Sequence, residues 1–516
     1  MLKLPTRARE RFDADQRGNV AVLFAFSMVP LIGLLGGAVD VTRHQRYKVE
    51  LANALDAAAI ALVRRGAKND AEADDFVTRY VAAMMPGGGN DKMLRMGRFD
   101  ATAIPGGYRV VADGVMDTAF LPVVGIEEMP LHIETEVMAT SGRYEIALAL
   151  DNTGSMAEHN KIGALRLASN HLIDTLYEEA GSEDRVKLAL VPFTTAVNIR
   201  GEAFNPDWLD PEGRGLGEHQ LDNYEREVSR LDIFEELSNG AVGPDGLPTG
   251  WKGCVEARAD GHDVDDEAPG SDPATRWTPY LSPDGADGGS GPAYARDNSY
   301  LADQTNNRGT AIERLKNVDK YFTPINLAGY RDVFDVDRGP NQSCRGPIVE
   351  LTIDQERMRD AIDAMEPGGW THIPQGLAWG WRVLSPSEPF TEGVAYDDTS
   401  TQKALVLLSD GKNTFPETYT SYGYRADGRL GPNWNAGVRA LNEKVTTLCE
   451  AIKAKGIRLY MILLEENDPE TKQIFEDCAS RDREGKVLYY EVPTAAQLDA
   501  AFQDIGKDLT TLRITR

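Results

Sequence analysis

An aspartate and two hydroxyl side chains alternate in a short turn that follows an apolar run. Asp151 comes directly after residues 144–150 and is followed at alternate positions by Thr153 and Ser155, with Gly154 between them. Oxygen ligands suit a hard divalent cation, and a glycine-containing turn at a strand end can aim alternate side chains at one point. The alternative is an ordinary Asp/Ser turn that hydrogen-bonds its own backbone. The choice depends on partners elsewhere in the chain.

Two later segments offer such partners. Residues 403–409 (KALVLLS) form a short apolar run typical of a buried strand, and Asp410 follows it. Between the two strands lies a loop of residues 367–374 with one hydroxyl, Thr371. In an open parallel α/β sheet, ligands collect outside the carboxyl ends of the strands, where the strand order reverses. We therefore expect Asp151, Asp410 and Thr371 to meet there and to hold Mg²⁺, or alternatively Mn²⁺ or Ca²⁺.

Together these segments resemble the metal-ion-dependent adhesion site of a von Willebrand factor A domain. The motifs that carry the resemblance are DNTGS from Asp151, the loop GGWT that ends at Thr371, and LLSDG around Asp410, in that order. The resemblance implies that Thr153, Ser155 and Thr371 bind the metal through their hydroxyls. It also implies that Asp151 and Asp410 bind the metal directly or through water. Thr153 stands where the family more often has serine, a change that keeps the oxygen.

Alternating apolar patterns around the motifs predict an α/β fold with a doubly wound, mostly parallel sheet. After the first motif, apolar residues recur at helical spacing over residues 162–176, and a strand-like run follows at residues 187–193. The alternation resumes with helical patterns near 358–365 and 435–455, strand-like runs at 457–464 and 487–492, and an amphipathic end at 498–509. These segments define a von Willebrand factor A-like domain of residues 144–200 plus 348–516.

A segment of different composition splits this domain. Residues 201–347 are rich in Gly, Pro, Asp and Asn, and a structureless loop of this length is improbable. We expect an insertion with partial structure of its own and a small core drawn from Trp251, Trp277, Tyr280, Tyr321 and Phe322. Its acidic run at residues 260–267 lacks the spacing of an EF-hand. A solvated acidic loop is the expected case there, and a Ca²⁺ site is the alternative.

The N-terminal part of the chain predicts a membrane anchor. The run Val20 to Val39 contains no charged residue and is long enough to span a bilayer as a helix. It is preceded by Lys3, Arg7, Arg9, Arg11 and Arg17, so the positive-inside rule places residues 1–19 in the cytoplasm and the chain after Asp40 across the membrane. A cleaved secretory signal is the alternative. The run is longer than the roughly 7 to 15 residues of such signals, and no clear Ala-x-Ala site follows it.

The helical pattern continues beyond this run, so residues 40–66 are expected to form a helical stalk. The segments RGNVA at residues 17–21 and LANALDAAA at residues 51–59 resemble the N-terminal region of TadE/TadG-like proteins of tight-adherence (Flp) pilus systems. Leu23 stands where processed pilins carry a glutamate. The resemblance implies a single-pass protein of the bacterial inner membrane, with the bulk of the chain periplasmic or surface-exposed and pilus-assembly proteins as partners. A generic single-span anchor is the alternative.

Residues 67–143 predict a small α+β module between the anchor and the metal-binding domain. A helix is expected at residues 71–84, and strands are expected at residues 108–111, 119–124 and 131–139.

Composition fits an extracytoplasmic chain of two or three cores. The chain has 516 residues, a formal net charge of −26 and a pI near 4.8, which disfavours nucleic acid as a partner. The four cysteines lack CxxC spacing and are even in number, as in a disulfide-bonded protein. Three pairings are possible, of which we expect Cys254 with Cys344 and Cys449 with Cys478.

The motifs favour binding over catalysis. The sequence has no HExxH, G-x-S-x-G or Walker A motif, and its seven histidines show no ligand spacing. His372 beside Thr371 is the one candidate general base for a metal-dependent hydrolase, and packing within the loop is its alternative role. A cation held by neutral hydroxyls and few charges stays electrophilic, so an Asp or Glu of a partner can complete its shell. We therefore expect a metal-dependent binding component of pilus assembly, with a surface adhesin for a foreign ligand as the alternative.

Overall fold

The chain divides into two compact units in the computed structural model. The structure describes residues 17–65, 67, 69–85, 93–104, 107–138, 143–180, 182–217, 228–288, 290–303, 310–323, 325, 333–398, 400–482, 484–510 and 513–515. The first unit comprises residues 1–141 with 511–516, and the second comprises residues 142–510. Residues 1–16 of the predicted cytoplasmic tail lie outside the described residues.

The first unit packs two helices on an antiparallel sheet. Numbered in chain order, its elements are α1 (Arg17–Arg65), α2 (Asp70–Met84), β1 (Leu94–Ile104), β2 (Gly107–Asp117), β3 (Glu128–Met138) and β12 (Arg513–Thr515), and the sheet order is β1-β2-β3-β12. Leu51, Leu55 and Leu62 of α1 share one core with Val77 of α2 and Val110 of β2. The segment predicted as a stalk is therefore part of this core.

Helix α1 is continuous over 49 residues, in agreement with the helical pattern predicted up to Arg65. No helix among the described residues combines the length and the apolar character needed to cross a membrane. The membrane span at Val20–Val39 stays a prediction.

The strands of the first unit differ from those predicted. Strand β1 was not predicted, and residues 119–124 form no strand, since Leu121–Val124 is a short 3₁₀ helix. Pro122 has no N–H to give to a ladder, and the N–H groups of Ala119, Phe120 and Leu121 bind the Asp40 carboxylate instead. An apolar run is thus held as a loop by a contact about 80 residues away in sequence.

The second unit contains the predicted doubly wound sheet. Its elements are β4 (Arg143–Asp151), α3 (Lys161–Ala180), β5 (Val186–Phe193), β6 (Val197–Asn198), α4 (Arg230–Leu237), β7 (Cys254–Val255), α5 (Ala311–Lys316), β8 (Val349–Thr352), α6 (Gln355–Asp363), α7 (Ile373–Arg382), β9 (Thr401–Ser409), α8 (Trp434–Ala454), β10 (Arg458–Leu464), α9 (Pro469–Cys478), β11 (Tyr489–Val492) and α10 (Leu498–Thr510). The sheet order is β11-β10-β9-β4-β5-β8, and all pairs are parallel except β5 with β8. The prediction of a mostly parallel α/β sheet is confirmed.

Two cores cover the two faces of this sheet. Along β4, Ile146 and Leu148 join one core with side chains of α3 and α10, while Ala147 and Ala149 join the other with side chains of α7 and α8. The side chains of a strand point alternately to opposite faces, so a central strand covered on both faces is largely apolar. This explains why residues 144–150 are apolar except for Glu145, which is buried in an ion pair with Lys403 of β9, and why Asp151 follows at the sheet edge.

Most of the aromatic residues expected to form a small core of the insertion pack against the sheet instead, while a second buried cluster of mainly inserted residues surrounds Cys254 and Cys344. Trp251, Trp277 and Tyr321 lie in the same core as the sheet residues, and the Trp277 ring lies 4.9 Å from that of Trp379 on α7. Only Tyr280, of the five aromatic residues predicted to cluster, lies in a different buried cluster. The inserted segment is therefore fused to the sheet through one of its faces.

Both disulfides have the expected pairing. Cys254 bonds Cys344 within the insertion, and Cys449 within α8 bonds Cys478 at the end of α9. The two bridges close loops of very different length, with sequence separations of 90 and 29 residues.

The two bridges should differ in their contribution to stability. A disulfide restricts the unfolded chain more when its loop is longer, so the double variant C254S/C344S should lose about 1 kcal/mol more free energy of unfolding than C449S/C478S. Urea unfolding of both variants and of the wild type under oxidising conditions measures this difference. An equal or larger loss in C449S/C478S would contradict the expectation.

Candidate metal centre

The two predicted carboxylates lie at the ends of neighbouring strands. β4 and β9 run parallel in register, with Leu150 beside Leu408, so Asp151 and Asp410 emerge at the same edge of the sheet. The Ser409 hydroxyl donates to Asp151 Oδ2 at 2.6 Å. Both aspartates are buried. The fold itself thus places two carboxylates together in a region of low solvent access.

The three predicted hydroxyls join these carboxylates in one chain of contacts. Ser155 Oγ donates to Asp410 Oδ1 at 2.6 Å, and Ser155 Oγ lies 3.1 Å from Thr153 Oγ1. Thr371 Oγ1 donates to Thr153 Oγ1 at 3.4 Å. Asp151 Oδ1 accepts the backbone N–H of Thr153 at 2.9 Å. The structure therefore brings all five predicted site residues together.

Backbone hydrogen bonds hold the first motif and the Thr371 loop (residues 367–374) against each other. Gly154 N–H donates to the carbonyl of Gly369 at 3.1 Å, and Gly368 N–H donates to the carbonyl of Asn152 at 2.9 Å. Gly369 has a φ of +78°, a conformation that favours glycine. The approach of Thr371 to Thr153 is thus set by the main chain.

The segment after Asp410 fixes the other side of the Thr371 loop. Thr371 N–H donates to Thr414 Oγ1 at 3.0 Å, and Thr414 N–H donates back to the carbonyl of Thr371 at 2.9 Å. Asn413 Oδ1 accepts the N–H of Ile373 at 2.8 Å, at the start of α7. The three predicted motifs therefore form one hydrogen-bonded unit.

The end of the insertion also packs on this loop. The Arg345 guanidinium lies directly over Gly368, and a Cβ on Gly369 would come within 2.8 Å of Ser343 Cβ. Ser343 is itself fixed, since its carbonyl accepts the Thr194 hydroxyl at 2.8 Å and its neighbour Cys344 is in a disulfide. Nothing in the spacing of the sequence indicated these contacts, which depend on the path of the insertion.

Lys161 is the main site residue that the sequence did not indicate. It opens α3, and its Nζ lies 2.8 Å from Asp410 Oδ2 and 3.9 Å from Glu465 Oε2. Its side chain is only 7% exposed. The ammonium offsets one of the two carboxylates, so Asp151, Asp410 and Lys161 together retain a net negative charge.

The electrostatics of this group favour an added cation. Burial, and then the charge of Asp410, raise the pKa of Asp151 well above its usual range, because two neighbouring buried carboxylates repel each other when both are ionised. The side-chain amide of Asn152 is buried without a hydrogen-bond partner among the described residues, and such a group needs a polar neighbour. An all-oxygen donor set of carboxylates and hydroxyls is the set that Mg²⁺, Mn²⁺ or Ca²⁺ prefers. These residues therefore fit a hard divalent cation.

His372 does not offer an accessible base. Its side chain is fully buried, its ring lies 5.7 Å from that of Tyr422, and burial lowers its pKa to about 3. A general base must reach the proton it removes. The placement supports the packing role of His372. The side chain on the other side of Thr371, Trp370, is 45% exposed at the rim of the site.

Part of the acidic run of the insertion takes part in side-chain contacts with other segments. Asp263 Oδ2 lies 2.7 Å from Lys444 Nζ and accepts the Tyr422 hydroxyl at 2.8 Å, and Asp265 Oδ1 accepts Arg258 Nη2 at 2.7 Å. The predicted solvated loop is therefore wrong for Asp263, which is buried, whereas the side chain of Asp265 is 35% exposed. His262, Asp265 and Glu267 lie close enough to share a cation. The guanidinium of Arg258 already neutralises part of that group.

Comparison with known proteins assigns a family to one segment of the chain. Residues 18–65 match the sequence profile of the family described as putative Flp pilus-assembly TadE/G-like. The resemblance of this segment to TadE/TadG-like proteins is thus confirmed. No curated protein matches the chain.

Solved structures of pilus proteins show a weak likeness to the chain. The pilus adhesin SpaC from Lactobacillus rhamnosus GG aligns with 12% identity and a TM-score of 0.32, over 82% of this chain and 35% of that one. The von Willebrand factor domain of the type V pili tip protein Mfa5 from Porphyromonas gingivalis aligns with 10% identity and a TM-score of 0.33, over 71% and 95%. The pilus adhesin RrgA from Streptococcus pneumoniae aligns with 9% identity and a TM-score of 0.32, over 80% of this chain and 50% of that one. The chain spans about a third of the first adhesin, and scores this low support no argument about function.

Lys161 should stabilise the metal-free protein. Replacing it in K161M leaves Asp410 buried without its closest positive charge, which should lower the free energy of unfolding in the presence of a chelator by about 3 kcal/mol. Urea unfolding in EDTA measures the loss. The matched control is K412M, because Lys412 is 54% exposed and 3.9 Å from Asp468, and its removal should cost little. Equal stability of K161M and K412M would contradict this account of the site.

Proposed function

We propose that this protein is a membrane-anchored component of Flp-type pilus assembly that binds an acidic group of a partner protein through a divalent cation. The cation would be held by Asp151, Thr153, Ser155, Thr371 and Asp410. The observation that carries the proposal is the convergence of these oxygen donors around two buried carboxylates, of which Asp410 is paired with Lys161. The pilus context rests on the family match of residues 18–65. The anchor is the uncharged run Val20–Val39 in the inner membrane, and the site faces the periplasm or the cell surface.

The protein would provide two kinds of ligand for the ion. Asp151 and Asp410 supply negative charge, while Thr153, Ser155 and Thr371 supply neutral oxygens. When bound, the cation supplies a Lewis-acidic centre that a partner's carboxylate can complete. Because few charges of the chain neutralise it, that carboxylate forms a strong, charge-assisted contact.

The surroundings of the site prepare it for binding. Ser409 donates a hydrogen bond to one oxygen of Asp151, and Lys161 donates one to an oxygen of Asp410. These bonds fix the orientation of each carboxylate. The backbone bonds of the Thr371 loop mean that little chain entropy is lost when the ion binds. Exposed Trp370 lies next to a ligand residue and offers a partner an aromatic contact beside the charged one.

Removing one hydroxyl should weaken cation binding. In T371V the side chain keeps its branched shape but loses one proposed ligand, so the affinity for Mg²⁺ or Mn²⁺ should fall at least about tenfold. At a cation concentration 100 times the wild-type dissociation constant, bound ion should stabilise the wild type by about 2.7 kcal/mol and T371V by clearly less. Urea unfolding with and without the cation measures both effects.

The control for this experiment is T446V, which removes an exposed helix hydroxyl that donates to the Asn442 carbonyl. Its cation dependence should match the wild type. Cation-dependent stabilisation of equal size in T371V, T446V and the wild type would contradict the proposed ligand set.

The same site could serve either pilus assembly or adhesion, and experiments in cells can distinguish these two roles. The family match of residues 18–65 favours assembly, so T371V and D410A should reduce the number of pili per cell, and attachment should fall with it. Pilus counts by electron microscopy and attachment assays measure this, with T446V as the control. Loss of attachment with normal pilus numbers would favour an adhesin. Unchanged pili and attachment, with normal protein abundance, would contradict metal-dependent recognition.

A further inference from the structure

A short loop of the first unit exposes an unusual concentration of apolar side chains. The apolar loop, residues 118–126 (TAFLPVVGI), contains no charged residue. Four of its side chains are widely exposed: Phe120 by 40%, Val123 by 56%, Val124 by 57% and Ile126 by 46%. In the described part of the second unit, exposed large apolar residues are instead scattered singly along the sequence. Adjacent exposed apolar side chains mark an interaction surface.

Hydrogen bonds hold this loop against helix α1. The Asp40 carboxylate accepts the N–H groups of Ala119, Phe120 and Leu121 at 3.1, 2.8 and 2.9 Å. Burial opposes the charge on Asp40, but the bonds from Phe120, Leu121 and Ala119 and the charge of Arg43 outweigh it and lower its pKa. The backbone of the loop is therefore bound to a buried, ionised carboxylate of α1.

Two glycines of α1 let the loop approach the helix closely. A Cβ on Gly36 would collide with the Phe120 side chain, and a Cβ on Gly37 would lie 3.0 Å from Leu121 Cδ2. The loop is closed by the N–H of Ile126, which donates to the carbonyl of Leu121 at 3.1 Å. The apolar loop is thus fixed beside residues 36–40 of α1, where the uncharged run Val20–Val39 ends.

The chemistry around the loop matches a phospholipid surface. Before Asp40, α1 has exposed apolar side chains, among them Leu31, Leu35 and Val39. After Asp40, the same helix has exposed basic side chains: Arg43, Arg46 and Lys48. An apolar surface that changes to basic residues over about two helical turns is the pattern of a segment at the boundary between acyl chains and anionic headgroups.

We propose that the apolar loop inserts into the interface of the bilayer beside α1, as a second and shallower membrane contact. The proposal rests on the anchoring of the chain through Val20–Val39. The loop and the helix are joined by Asp40, so the added contact fixes the rotation of α1 and holds the first unit at the membrane surface. The occupant is lipid, because the exposed apolar side chains of the loop are continuous with those of the anchoring segment.

A fluorophore in the loop can test for lipid contact. The full chain carrying V124C, labelled with the environment-sensitive dye NBD, is reconstituted in vesicles of phosphatidylethanolamine and phosphatidylglycerol. All four native cysteines are in disulfides, so the label reacts with the introduced thiol. The matched control is V242C, since Val242 is an apolar residue of the second unit that is 56% exposed. Lipids with a doxyl quencher near the headgroup report shallow insertion.

The proposal predicts a blue-shifted emission for V124C and a quenching by shallow doxyl lipids several times that of V242C. Water-like emission and weak quenching at both positions, with the protein resistant to alkaline carbonate extraction, would overturn the loop contact and leave the anchor intact. A blue shift without quenching by any doxyl lipid would mean that protein covers the loop, which overturns the lipid assignment. Release of the wild type by carbonate would overturn the anchor and the loop contact together.

Discussion

The organising constraint of the second unit is the burial of two carboxylates at the ends of adjacent parallel strands. Asp151 and Asp410 follow runs that are largely apolar because both faces of the sheet are covered. The charges within these two strands, Glu145 and Lys403, are paired with each other, whereas the two aspartates at the strand ends are not paired in this way. Two such charges side by side are unfavourable unless a positive charge is close. Lys161 provides one, and the hydroxyls of the site share the remaining oxygen contacts. A divalent cation would complete the compensation, which ties the fold directly to the proposed binding role.

The rest of the unit keeps this arrangement in place. The Thr371 loop is bound on one side by the turn after β4 and on the other by the segment after β9, so the ligand oxygens are set by main-chain contacts. The insertion adds a third support through Ser343 and Arg345, next to the Cys254–Cys344 disulfide. Ordering a large inserted segment costs chain entropy, which its buried contacts must offset. The shared tryptophans, Trp277 and Trp379, supply that common core.

Much of the fold and site follows from local sequence signals. Apolar runs that end in Asp151 and Asp410 predict parallel strands and their shared edge, and both disulfide pairings agree with the expected ones. The signals fail where a distant partner decides the outcome. Residues 119–124 have the composition of a strand, yet Asp40 takes their N–H groups and leaves them as a loop. Lys161 is one lysine at the start of a helix, and only the sheet order brings it to Asp410.

The most direct test of the central claim is the position of a bound ion. Crystals of the full chain grown with Mn²⁺, which shares the oxygen preference of Mg²⁺, give an anomalous scattering signal at the metal. The account predicts a peak in contact with the hydroxyl oxygens of Ser155 and Thr371 and close to Asp410. A structure with no ion at these oxygens, or with its only ion at the group of His262, Asp265 and Glu267, would contradict it.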